Sequence, residues 1–557
     1  MKNKFQVVFY MAKTIVFLSD NLRYKQRQSQ TVLEYMWNRL QKVDDFFAKA
    51  TAFLNKNLTP KRILFLLGLF FIFQTLFSLC FNYQLYRDVG GVYAWYARDF
   101  GNGVWWSEPL SKVPVLNIFL GGFLVRCGVP PYSSLITLAM LFMGLTIIPL
   151  YRMLKLFLPA AAAAWGCVLF AFAPKMLRFA GCGLLESTRD FFLVVALYFF
   201  FKNWNRACKL YEWIILGLAL GFLSLARGEG IVMAAAVAVG LLFRQAAEWK
   251  SPKAILRSVL IPVFVSGVFV LAVISPVLIQ NYRVTGFPVT DARMIGVLKA
   301  VPGVNKCFAE KYKKAESDPR ILPHAILSKD SDRSGLRERL RAFPRNVLRG
   351  AYEPYLVLAI IGVVLLIKRK QWRREYTFLV AYCLLVSCCF INFSVAHRYF
   401  IFFVPMLMVF TLYALISILG AVEKYHVKNI ILAVLVAVCL LQPLNAWKWM
   451  MDKSCKDELK LREFVVQNRK RFLPDGADRK LIVHADSRLL FRCGEERLFQ
   501  YGEEVPEIRY ITGFDLLLVF KKELNVLEDC KARSDLQQIE APFRRFVIFV
   551  PVERNRK

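Results

Sequence analysis

The sequence predicts a polytopic α-helical membrane protein, with about eleven spanning helices and a small α/β domain outside the cytoplasm at its C-terminal end. Three observations carry this. Apolar residues make up 57% of the 557-residue chain, more than a water-soluble fold can hide. They come in long uncharged runs rather than in amphipathic stripes, as bilayer spans do. Lys and Arg, 75 against 41 Asp and Glu, gather in short segments between those runs, which is the positive-inside pattern.

The same distribution explains the net charge of +34. Basic loops beside a membrane meet anionic lipid head groups, so membrane lipids are expected partners and nucleic acid is not. Of the 13 cysteines, most lie inside apolar runs, where they act as small hydrophobes. Cys307, Cys455, Cys493 and Cys530 fall in segments read as extracytoplasmic, where disulfides can form. No CxxC pair occurs, which argues against a zinc site.

Residues 1–60 read as a basic cytoplasmic segment. Phe5 to Leu18 is apolar but interrupted by Lys13 and followed by polar sequence, so it is a surface-lying piece rather than a cleavable signal. Spans then fall at 62–81, 133–154, 160–177, 188–201, 212–226, 230–243, 258–279, 353–367, 376–394, 399–420 and 428–445. One further apolar stretch, Val113 to Val125, is short and contains Pro114, Asn117, Gly121 and Gly122. Charge decides its status. Left out of the count, it puts Arg152/Lys155, Lys202–Lys209, Arg244–Arg257, Lys368–Arg374 and Glu423–Lys428 in the cytoplasm, all short and net basic. Counted as a span, it sends every one of them outside. Residues 113–127 are therefore read as an interfacial or re-entrant helix on the outer face.

This makes residues 61–445 a transmembrane module with outer loops 82–132 and 280–352, followed by an extracytoplasmic domain over 446–557. In that domain Lys456 to Lys470 has helical character, while KLIVHAD, FDLLLVF and FRRFVIFVPV read as buried strands. The two halves of the module do not resemble each other, which weighs against the inverted repeats of transporters.

Five polar features face outward in this threading. Loop 82–132 embeds Asp88, Asp99, Glu108 and Lys112 among Tyr93, Trp95, Tyr96, Trp105 and Trp106. On its own it reads as an interfacial aromatic belt. Glu186 and Asp190, with Arg189 between them, open a helix; alone they read as carboxylates on a helix dipole, with Ser187 or Thr188 as cap. ARGEG places Arg227 and Glu229 at the next outer boundary, where a structural Arg–Glu pair is the plain alternative. NYRVTGFPV opens the large outer loop, and HRYFIFFVP, with His397 and Arg398, opens the tenth span.

In that order the segments resemble the membrane-embedded glycosyltransferases of the GT-C fold, in the branch holding protein O-mannosyltransferases and the lipid A aminoarabinose transferase. Asp88, Tyr93, Ala97–Arg98, Gly103 and Trp105 are similar in order to that branch's first outer loop, and Lys112–Val113–Pro114–Val115–Leu116 to its Lys–Pro–Pro–Leu element. Glu186 lies at its second acidic position, with Asp190 as the fallback, and ARGEG resembles Arg–Pro–Glu–Gly. Val89 stands where Glu is commoner, and the spacing to Tyr93 is one residue longer.

The resemblance implies transfer of a sugar from a polyprenyl-phosphate donor to a lipid, glycan or protein acceptor. The place is the outer face of a bacterial inner membrane, with the N-terminus cytoplasmic and the C-terminal domain periplasmic. It implies Asp88 as general base, or Asp99 if the longer spacing shifts register. Lys112 and Arg398 would take up charge on the departing phosphate, with Arg283 and Arg293 behind them. Glu186 would orient the acceptor, and Tyr93, Trp105 and His397 would line the substrate. A divalent metal on Asp88 and Glu186 stays open as the one cofactor, on thin support from two carboxylates. Two other readings compete: a transporter or flippase of lipid-linked glycans, which needs charges at mid-membrane, and a non-catalytic scaffold serving the outer domain.

Overall fold

The computed structural model describes residues 58–80, 93–103, 114–204, 209–245, 256–285, 288–290, 336–391, 397–422, 428–452, 481–485, 499–501, 516–520, 524–539 and 546–552, with a few isolated positions besides. Among the described residues, the apolar runs between 60 and 452 fold as helix, because in hydrocarbon every backbone amide must be satisfied within its own segment. In chain order these are α1 (Pro60–Cys80), α2 (Ala94–Gly101), α3 (Val115–Arg126), α4 (Pro131–Leu154), α5 (Ala160–Ala171), α6 (Pro174–Gly181), α7 (Glu186–Lys202) and α8 (Leu210–Ala226). They continue as α9 (Glu229–Gln245), α10 (Ile261–Thr285), α11 (Leu336–Ala351), α12 (Glu353–Lys368), α13 (Arg374–Ile391), α14 (Phe403–Val422) and α15 (Lys428–Asp452).

By length and composition, 4 of the described helices can cross a membrane, or up to 6 if each bent pair is one span; Leu210–Ala226 and Gly230–Leu242 are shorter apolar helices. The protein is thus a mostly helical membrane protein. α3 is also short: its 12 residues cover about 18 Å at 1.5 Å each, against a core of about 30 Å.

Three boundaries differ from expectation. The run at 160–177 is not one helix: α5 stops at Ala171 and Pro174 starts α6 at an angle of 53°. Proline suits a first helical turn and not an interior, so the break falls there. α10 continues to Thr285, where the Asn281 amide donates to the Val289 carbonyl at 2.7 Å. α15 runs on to Asp452, past the expected boundary at 445. Its Trp447 indole N–H donates to the buried Gln74 of α1, and its ring lies against Phe73 and Phe77. α15 is thereby fastened to α1.

Close helix contacts are built at small residues, since lipid tails supply no hydrophobic drive between helices and van der Waals approach must do the work. On α8, a Cβ at Gly217 would meet the Ser266 carbonyl of α10 at 2.5 Å, and one at Gly221 would meet Val273 at 2.7 Å. Ser266 donates from its hydroxyl to the Trp213 carbonyl at 3.1 Å across the same seam. α12 and α14 meet at Gly362, where an added Cβ would overlap the Phe410 carbonyl. The Thr411 hydroxyl donates to the Tyr355 carbonyl at 3.0 Å, and the Tyr355 hydroxyl to Leu169 of α5 at 2.7 Å. Gly362→Ala is therefore expected to push α12 off α14 and cost about 1–3 kcal/mol. A thermal melt in detergent reads this, with Gly267→Ala, where nothing lies within 4 Å, as the neutral control.

The tail holds a five-stranded sheet in the order β2-β1-β3-β5-β4, made of β1 (Leu481–Ala485), β2 (Phe499–Tyr501), β3 (Leu516–Phe520), β4 (Leu536–Ile539) and β5 (Phe546–Pro551). β1 runs parallel to β2 and β3, and β5 antiparallel to β3 and β4. Helix α16 (Leu524–Ala532) buries Cys530 against Leu517, Val519, Val547 and Phe549. The three expected strands are β1, β3 and β5. Lys456 to Lys470 lies almost wholly outside the described residues, as do Cys307, Cys455 and Cys493.

Candidate functional site

The turn that precedes α7 decides where its first residues go. Gly183 has φ of +75, a conformation glycine adopts without steric cost, and it reverses the chain between α6 and α7. A Cβ at Gly183 would meet Val89 at 3.2 Å and the Ile136 backbone at 3.4 Å. The turn before α7 therefore packs against Val89. Val89 is fully buried there, which explains an apolar residue where the resemblance leads one to look for Glu.

α7 begins at Glu186 itself, with Leu185 before it and no side-chain cap. The expected cap from Ser187 or Thr188 does not form, and the Thr188 hydroxyl is buried without a hydrogen-bond partner. The first turn instead carries charge into the protein interior. Glu186 accepts from the Arg227 guanidinium at 3.2 Å, both side chains being 2–3% exposed. Arg189 pairs with Asp190 at 2.8 Å, at 3% and 0% exposure. Among the described residues, two carboxylates and two guanidiniums thus share one buried cluster whose charges balance. Neutrality is what makes it tolerable, because an unpaired ion in such surroundings costs several kcal/mol. One carboxylate oxygen of Asp190, Oδ2, has no hydrogen-bond partner.

The cluster joins elements far apart in the chain. Arg227 closes α8 in extended conformation, its backbone N–H held by the Leu223 carbonyl at 2.9 Å. Its side chain reaches Glu186, 41 residues back. Arg189 lies over the Phe402 ring at 5.4 Å, a favourable contact for a desolvated guanidinium. Phe402 ends the 3-10 turn His397–Phe402 that leads into α14. A cavity beside Arg189 is lined by Leu193, Leu223, Gly230, Tyr382 and Phe402.

The predicted site residues fall as follows. Glu186 is in the cluster, and Asp190 beside it. Tyr93 is buried at the head of α2. His397 and Arg398 lie on the 3-10 turn whose Phe402 touches Arg189, their side chains outside the described set. Arg283 is exposed on the last turn of α10. Asp99 is paired with Arg98 at 2.9 Å and is 39% exposed. Asp88, Trp105, Lys112 and Arg293 lie outside the described residues. Sequence reasoning gave Arg189 no role of its own and Arg227 only a structural pairing with Glu229. For Arg227 the signal was present, an arginine between Ala226 and Gly228 at a span boundary, and only the partner in another helix was hidden.

Among the described residues, no three His, Cys, Asp or Glu side chains gather as a metal site would require. Of the expected metal pair, Glu186 is described and Asp88 lies outside the described residues.

A family described as dolichyl-phosphate-mannose-protein mannosyltransferase matches residues 111–279. Among solved structures, ArnT from Cupriavidus metallidurans bound to undecaprenyl phosphate is similar with a TM-score of 0.54 at 12% identity, over 87% of this chain and 97% of that one. The oligosaccharyltransferase of Archaeoglobus fulgidus, in complex with Zn and sulfate, gives 0.48 at 14% identity, and this chain spans 61% of its length while 77% of this chain is covered. The protein O-mannosyltransferase Pmt1-Pmt2 complex of S. cerevisiae gives 0.33 at 19% identity, over 41% of this chain and 34% of that one. No curated protein matches the chain by sequence.

Proposed function

From the GT-C membrane-glycosyltransferase fold that this chain shares with ArnT, we propose that it transfers a sugar from a polyprenyl-phosphate donor to an acceptor hydroxyl or phosphate. The reaction takes place at the outer face of a bacterial inner membrane. The chain threads that membrane about eleven times, with the N-terminus cytoplasmic and the sheet domain periplasmic. One observation carries the reading. Val89, the residue after Asp88, packs against the turn three residues before Glu186, and the Arg189 side of the same cluster touches the turn that carries His397 and Arg398. Segments far apart in the chain thereby converge on one end of the bundle.

In this mechanism the acceptor oxygen attacks the anomeric carbon and the bond from that carbon to the phosphate oxygen breaks. Asp88 takes the acceptor proton as general base. The leaving polyprenyl phosphate gains charge, which Lys112 and Arg398 receive, with Arg283 near the path of entry. Glu186, held in place by Arg227, orients the acceptor. Tyr93 and Trp105 line the sugar.

The test is an assay of the purified full chain across a panel of polyprenyl-phosphate sugars, scored by mass spectrometry. The expected result is an acceptor heavier by one sugar, together with released polyprenyl phosphate. Movement of a lipid-linked glycan across proteoliposomes, without any transfer product, would favour the flippase reading instead.

A further inference from the structure

We propose that α11 lies flat on the membrane surface and binds the phosphates of anionic phospholipid through Arg341 and Arg345. The proposal does not rest on the transfer reaction. Its first support is an elbow. The described residues of α11, from Leu340, meet α12 at an angle of 95°, and the residue between them, Tyr352, has φ of +65. Such a backbone is unfavourable for a bulky residue and persists only where packing holds it. Tyr352 is so held, its hydroxyl accepting from Gln442 at 3.0 Å and its ring set against Tyr355. α12 is apolar and runs Glu353–Lys368. With α12 along the bilayer normal, α11 runs in the plane of the surface.

Its two faces match that position. The helix LRERLRAFPRNVLRGA carries five Arg and one Glu. One face turns inward, where Phe343 meets the Phe400 ring at 5.5 Å and Val347 is partly buried. The other face leaves Leu340 48% and Leu348 41% exposed, two turns apart. Arg341 and Arg345 form the next stripe at i, i+4 spacing, and both are exposed. Neither forms an ion pair among the described residues. Leu340 and Leu348 need an apolar medium, while Arg341 and Arg345 need anions a few ångström away. The boundary between acyl chains and phosphates offers both, and arginine stems lie along such a boundary with their heads outward. An acidic protein would satisfy the arginines and leave the leucines in water.

The test uses the full chain in nanodiscs of phosphatidylcholine, with and without phosphatidylglycerol, reading hydrogen exchange of amides 336–351. Phosphatidylglycerol is expected to slow exchange in that helix and to leave α12 unchanged. In Arg341→Gln/Arg345→Gln the phosphatidylglycerol dependence is expected to weaken by on the order of tenfold or more. Arg341→Lys/Arg345→Lys is expected to keep most of it. Both positions are exposed, and unchanged α12 exchange verifies that the variants fold. Wild-type exchange that ignores phosphatidylglycerol overturns the proposal, as does a phosphatidylglycerol effect that survives the glutamine pair. Equal protection by inorganic phosphate in phosphatidylcholine discs overturns the assignment to lipid.

Discussion

Arg227→Met is expected to destabilise the helical module by about 3–5 kcal/mol, because it leaves the Glu186 carboxylate charged and buried with its cross-helix partner gone. Glu186 is 2% exposed and Arg227 is among the largest fully buried side chains, so water cannot replace the lost contact. Glu186→Leu alone is expected to cost as much, for the mirrored reason. The double variant Glu186→Leu/Arg227→Met tells more. Replacing a buried ion pair with apolar residues of similar volume is often near neutral, so its melt is expected to return towards wild type. Transfer activity is not, if Glu186 holds the acceptor. A double variant that recovers both stability and activity would reduce the pair to architecture. Thermal melts in detergent together with the transfer assay separate the outcomes.

Asp88→Asn is expected to lower kcat by about 10²–10⁴-fold while the melt stays where it was. Asparagine keeps the shape and the hydrogen-bonding reach of the side chain but cannot accept the acceptor proton. The loss should fall on kcat and leave KM nearly unchanged, because binding does not need the base. Asp99→Asn is the matched control. Asp99 already pairs with Arg98 and is 39% exposed, and an exposed pair is worth about 0–1 kcal/mol, so less than about a twofold change is expected there. Full activity in well-folded Asp88→Asn removes Asp88 as the base. Loss in Asp99→Asn alone would transfer the role to that residue.

The candidate site was legible in part. Glu186 and Asp190 stood out because carboxylates are costly in apolar sequence, and that cost is visible one residue at a time. Their partners were not legible. ARGEG offered Glu229, two residues on and with its side chain outside the described set, as a partner for Arg227; the guanidinium also meets Glu186 from another helix. Nothing in the spacing of either segment encodes that meeting. Ser187 and Thr188 looked like caps for the same local reason, and the helix starts without one. Val89 was a departure from the resemblance whose meaning came only with burial, as the residue packs against Gly183.

The order of the helices, the short α3 between loops, and strands β1, β3 and β5 are properties of contiguous sequence. They follow from apolar length and period, and these need no knowledge of neighbours. The tertiary structure decided the break at Pro174, the elbow at Tyr352, the docking of α15 on α1, and which arginine neutralises which carboxylate. Each depends on which helices approach closely, and that is set by small residues such as Gly362 and Gly217 facing a particular backbone. Charge, once buried, then pairs with whatever that packing brings within reach.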